Sequence, residues 1–183
     1  MAKLTPLWTQ NETTDPKEIG PFLAEEGIDF ALWELPEEVV ALAAKSRLSD
    51  EEKARLLEIF QGKITAVNEE KGYVDADVVA IRGDLPGIDD ALAKFDKVHF
   101  HDDDEVRAIV GGRGVFGFIA RDGKQFLLEV QAGEYISVPA GMWHWFYCHE
   151  ERNITALRLF KDTSGWVPRY RAVERGTPGN LPE

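Results

Sequence analysis

The chain is short of the residues that would tie it to a disulfide scaffold, a membrane or a nucleic acid. Cys148 is the single cysteine among 183 residues, so no disulfide can close within the chain, in keeping with a reducing compartment. The same small thiol reads as a packing residue rather than a redox group. No apolar run approaches the roughly eighteen residues a helix needs to span a bilayer, and the opening Met1-Ala2-Lys3-Leu4-Thr5-Pro6 lacks the apolar core of a signal peptide. A cytoplasmic protein is the expectation. Basic residues are scarce too: 21 Lys and Arg stand against 33 Asp and Glu, a formal net charge of -12 at pH 7. Such a surface repels nucleic acid and anionic membrane, and excludes both as partners. Histidine is scarce as well, with four, and three of those four stand in two short segments.

What is present is ordinary for a globular protein: 44% hydrophobic and 30% charged residues. The length suits one domain, residues 1–183, able to bury about 70% of the surface its unfolded form exposes. Residues 1–62 carry helix signals. Asp15-Pro16 with Glu18 opens one helix that Gly20-Pro21 soon interrupts, a second follows Pro36, and a third begins at Ser49, with Glu52 completing a capping box and Gly62 ending it. From Val74 the period changes to two. Residues 74–160 read as a β core, with Ile88 to Phe95 a short helix and strands at Val106 to Val110, Val115 to Ala120, Phe126 to Val130, Tyr135 to Val138, His144 to Cys148 and Thr155 to Phe160. Gly111-Gly112 closes the first of these. Residues 161–183 form a tail. The expected class is mainly β with α: an antiparallel barrel with the N-terminal helices packed outside it.

Three of the four histidines fall into two segments, His99-Phe100-His101 with Glu105, and Pro139-Ala140-Gly141-Met142-Trp143-His144. In a strand, side chains two apart share a face, so His99 and His101 can grip one ion. Glu105 opens the next strand, while Asp102, Asp103 and Asp104 occupy the turn, where solvent is the natural neighbour. A second strand delivers His144. Three imidazoles and one carboxylate leave a divalent ion with about one net positive charge and, if it is six-coordinate, two open positions. This donor set without thiolate suits iron, nickel, manganese or cobalt better than a closed structural zinc. His149, beside Glu150 and Glu151, reads as a solvated loop residue. Arg107 shares the face of Glu105 and so points inward, where a guanidinium needs a negative partner. Arg158, between Leu157 and Leu159, poses the same question from another strand. A salt bridge to an acidic side chain is the alternative reading of both.

The spacings H-x-H-x3-E-x6-G and G-x5-P-x-G-x2-H resemble the two motifs of the cupin superfamily, whose members are small jelly-roll-like β-barrels. Ala93 stands where the first motif usually has glycine and Cys148 where the second has asparagine; neither position ligates metal in that pattern. The flanks narrow the resemblance: Lys71-Gly72-Tyr73, Phe95 to His101, Asp104-Glu105-Val106-Arg107, Ile136 to Ala140, His144-Trp145-Phe146, Thr155 to Phe160 and Gly165-Trp166. Over residues 65 to 170 the chain looks like the acireductone dioxygenase family of methionine salvage.

That resemblance implies metal ligation by His99, His101, Glu105 and His144, with Arg107 and Arg158 close to bound substrate. It also implies an apolar substrate wall of Phe95, Phe146 and Trp166, although each of these rings reads equally well as core. The implied substrates are acireductone (1,2-dihydroxy-3-keto-5-methylthiopentene) and O2. An Fe(II) site in the family yields formate and 4-methylthio-2-oxobutanoate, and a Ni(II) site yields formate, CO and 3-methylthiopropionate. Fe(II), one per chain, is the expected cofactor, Ni(II) the alternative metal, and a monomer the expected state. Two other classes fit the same ligands: a different cupin metalloenzyme, such as another dioxygenase or an isomerase, and a non-catalytic small-molecule-binding cupin.

Overall fold

The computed structural model describes residues 1–162 and 167–176. In chain order the elements are β1 (Lys3–Pro6), α1 (Pro16–Glu25), β2 (Asp29–Leu32), α2 (Glu37–Ala43), α3 (Asp50–Ile59), α4 (Gln61–Lys71), β3 (Asp75–Ile81) and α5 (Ile88–Phe95). There follow β4 (His99–Phe100), β5 (Glu105–Ile119), β6 (Gln125–Gln131), β7 (Glu134–Val138), β8 (His144–Cys148), β9 (Ile154–Phe160) and β10 (Arg169–Tyr170). No helix among the described residues is long and apolar enough to cross a membrane.

β5 organises the molecule, because it belongs to two antiparallel sheets at once. Its first half pairs with β7 and β9 in a sheet ordered β2-β7-β5-β9-β3. Its second half pairs with β6 and β8 in a sheet ordered β1-β6-β5-β8-β4-β10. The passage between the two falls at Val110 to Gly112: the register to β9 shifts between Ile109 and Gly111, and Gly112 takes φ +70°. A glycine pair that reads as a strand end is thus a bulge that bends a strand and lets it continue. A Cβ at Gly112 would lie 1.8 Å from the carbonyl oxygen of Asn153, so only glycine lets the two backbones come this close. The extra residue also switches parity. Glu105, Arg107 and Ile109 line the interior before the bulge, and Phe116 does so after it.

Between the sheets lies an apolar core including Phe116, Phe118, Phe126, Leu128, Ile136 and Val138. The outer face of the first half of β5 carries Val106, Ala108 and Val110, and with Leu157 and Leu159 it is covered by Val39 of α2, Leu56 of α3, Phe60, and Ile64 of α4. Helices α2, α3 and α4 therefore lie on the outside of a cupin-type β fold, as the sequence pattern leads one to expect.

Local differences have local causes. The capping box of Ser49 and Glu52 forms, but the helical part runs past Gly62 to Lys71 after a break at Phe60, and Gly72 in the left-handed conformation ends it. α1 continues through Gly20-Pro21 because Ile19 and Leu23 are buried in the core and their packing outweighs the lost backbone bond. β1 and β2, four residues each, pair at the sheet edges and are too short for the sequence to show their period.

Candidate metal centre

Both histidine-bearing strands are set by register. His99 opens β4 and pairs directly with His144, the first residue of β8. His101 follows β4, its carbonyl accepting the amide of Gly141 at 2.9 Å, which locks the two motif turns together. Glu105 begins β5 opposite Val138. One ligand atom from each of His99, His101, Glu105 and His144 lies within 4.8 Å of every other, and all four side chains are buried. The sequence-derived ligand set is thus brought together in one place.

The hydrogen bonds of this group call for a cation. His144 Nδ1 lies 2.8 Å from the carbonyl oxygen of Met142, and His99 Nδ1 lies 2.6 Å from that of Lys97. A ring bound in this way donates from Nδ1 and, when neutral, leaves its Nε2 lone pair turned inward. Nε2 of His144 and of His101 lie 3.1 and 3.0 Å from the same Oε2 of Glu105. For His144 this places acceptor against acceptor unless a positive charge sits between them. A divalent metal held by four ligands supplies that charge, so the residues present fit one.

The electrostatics favour the ligating protonation states. Burial, with His144 adjacent, pushes His99 down to about 4, which leaves it neutral at pH 7. Burial alone would raise Glu105, but the adjacent Arg107 guanidinium is the main opposing influence, and on balance the carboxyl is held well below the usual range. Arg107 Nη2 lies 3.0 Å from Glu105 Oε1, so one carboxylate oxygen meets the arginine while the other faces the imidazoles. Burial pulls Arg107 downward, and the neighbouring Arg158 adds to this against the opposing pull of Glu105.

Arg107 and Arg158 pair across β5 and β9 and line one cavity with His99 and Glu105. The rest of its wall is apolar, including Val79, Ile81, Phe116, Phe146, Ile154 and Ala156. Phe95 stands at the rim, 43% exposed. Trp166 lies outside the described residues. Both salt bridges raised as alternatives exist: Arg107 meets Glu105, itself in the cluster, and Arg158 meets Asp77.

Two features escape sequence reading. The carbonyls of Lys97 and Met142 orient imidazoles, yet a carbonyl has no residue-type signature; the common signal is a position two residues before each histidine. Asp104 is not a solvated turn residue: Tyr73 Oη donates to it at 2.7 Å and the Ala140 amide at 3.0 Å, tying the first motif to the second. His149 is remote from the cluster, 3.1 Å from Glu129.

Comparison with known proteins points to one family. The model of the ARD/ARD' family matches residues 10–168. An acireductone dioxygenase of Leptospira interrogans serogroup Icterohaemorrhagiae serovar copenhageni is 42% identical over 167 residues, covering 91% of this chain and 90% of its own. One of Bacillus cereus is 40% identical over 153 residues, covering 84% and 90%. The solved structure of an acireductone dioxygenase from Bacillus anthracis, with a cadmium ion in its active centre, superposes with a TM-score of 0.87 at 35% identity, covering 93% of this chain and 98% of that one.

Proposed function

The chain belongs to the ARD/ARD' family, and on that premise we propose that it is a metal-dependent dioxygenase that cleaves acireductone with O2 in methionine salvage. The observation that carries the reading is the buried group of three imidazoles and one carboxylate, of which His99 and Glu105 line a cavity shared with Arg107, Arg158 and a largely apolar wall. Acireductone has the matching shape: an enediol at one end and an apolar methylthio tail at the other.

His99, His101, Glu105 and His144 would hold the metal, Fe(II) in the cell with Ni(II) as the alternative. A divalent ion there supplies Lewis acidity towards the paired oxygens of the enediolate and a route for electrons towards O2. The chain's own residues do the rest. Arg107 keeps Glu105 ionised, which suits it to ligation and makes it a poor proton acceptor. Arg107 and Arg158 offer guanidinium N–H groups to negative oxygen within a largely apolar enclosure, where such contacts are strong. Phe95 and Phe146, with Trp166 as a third ring by family resemblance, exclude water and receive the apolar part of the substrate. The length of 183 residues supports a single domain, the lone cysteine a reducing, cytoplasmic setting, and the family resemblance a monomer.

Metal identity sets the products, and product analysis tests it. Protein purified without added metal should contain iron. Reconstituted with Fe(II) it should give formate and 4-methylthio-2-oxobutanoate, and with Ni(II) formate, CO and 3-methylthiopropionate. Protein that contains neither metal, or gives the same products with both, would count against this assignment.

A further inference from the structure

Asp77 is neither a ligand nor a wall residue, yet it acts on the site through Arg158. It stands on β3, at the edge of its sheet, directly across from Arg158 on β9, which in turn stands across from Arg107 on β5. Val79 and Ile81 share the parity of Asp77 and are cavity wall, so the row Asp77, Arg158, Arg107 runs across the face that lines the cavity. The contact is a fork. Arg158 Nε donates to Asp77 Oδ1 at 2.7 Å while Nη2 donates to Oδ2. A two-point pair fixes the plane of a guanidinium as well as its place.

That constraint has a specific purpose here. Two guanidiniums side by side repel, and the sole carboxylate among the described cavity residues is Glu105, already engaged by Arg107. Arg158 released from Asp77 would be drawn towards Glu105, disturbing a carboxylate whose other oxygen faces two imidazoles. It would also lose the orientation needed to meet an anionic oxygen.

We infer that Asp77 is a positioning residue for the oxygenase reaction, holding Arg158 in the cavity wall so that its guanidinium meets the substrate rather than Glu105. This rests on the reading that Arg158 contacts substrate. Asp77 itself touches nothing that reacts.

A double-mutant cycle on the Fe(II)-loaded enzyme tests it, with Asp77→Asn, Arg158→Gln and the pair assayed for acireductone turnover, iron content and thermal midpoint. Loss of about one charged hydrogen bond to the substrate corresponds to roughly tenfold in binding, so Asp77→Asn should raise KM by about that factor with kcat little changed and iron retained. Asp77→Glu should restore most of the loss, and in the Arg158→Gln background Asp77→Asn should add nothing. If Asn at this edge position impairs folding, Asp77→Thr carries the same comparison. Multiplying effects, or an unchanged KM in Asp77→Asn while Arg158→Gln raises it, would overturn the inference alone. A wild-type KM in Arg158→Gln would overturn the reading of Arg158 and the inference with it.

Discussion

His144 meets both ends of one strand: its backbone pairs with Phe118 near the end of β5, and its Nε2 lies 3.1 Å from Oε2 of Glu105, the residue that begins β5. Drawn straight, that stretch of strand would span roughly 40 Å. The metal centre therefore depends on β5 curling back, and the curl is made at Gly111-Gly112.

Gly112→Ala should accordingly damage the site from a distance. The added methyl meets the Asn153 carbonyl at 1.8 Å in a backbone held at φ +70°, a combination of overlap and strain worth about 2 kcal/mol or more. Urea unfolding should show that loss. Equilibrium dialysis should also show weaker metal binding, although Gly112 touches no ligand. Unaltered metal affinity would mean that the bend does not set the ligand geometry.

The metal-free protein should lose stability on mild acidification. His99 is depressed from 6.5 to about 4 by burial and the adjacent His144, so between these values the unfolded chain binds a proton that the folded chain refuses. Its contribution is complete above pH 6.5, declines as pH falls, and levels off below about 4, a span of roughly 3 kcal/mol. Glu105, held low on balance by Arg107 despite its burial, adds a loss of the same sign below 4.5. Urea midpoints between pH 7.5 and 4.5 should fall in the wild type and less steeply in His99→Gln. Identical slopes would remove His99 as the cause.

A buried arginine outside the site makes a contrasting case. Arg82 donates to the carbonyls of Ala43 and Lys45 at the end of α2, to that of Ile154, and to Thr155 Oγ1, at 2.8 to 3.2 Å. Arg82→Met strands these buried acceptors and should cost about 2–4 kcal/mol in urea unfolding. Metal content at low temperature should stay as in the wild type, because no ligand or orienting carbonyl is touched.

The ligand set was legible because chelation imposes spacing. His99 and His101 must share a face, and Glu105 and His144 must begin the strands that follow their turns. α5 was legible to the residue, since Gly87 and the apolar positions of Ile88 to Phe95 bracket it. Gly111-Gly112 misled because a glycine pair signals a break in strand pattern without saying whether the chain stops or bends; only the partner strand decides that. Asp77 and Asp104 were invisible as site neighbours for a related reason. Their partners, Arg158 and Ala140, are far away in sequence and meet them only through the register of the sheets and the meeting of two turns.

Anaerobic reconstitution of metal-free protein with one equivalent of Fe(II), followed by acireductone and O2, with enediol absorbance recorded and Glu105→Gln run alongside, decides whether this chain is the oxygenase. The oxygenase should show fast loss of absorbance that depends on iron, with formate formed in step, and at least about a hundredfold less activity in the variant. Wild-type protein with iron demonstrably bound, but no faster than the uncatalysed oxidation, would contradict it.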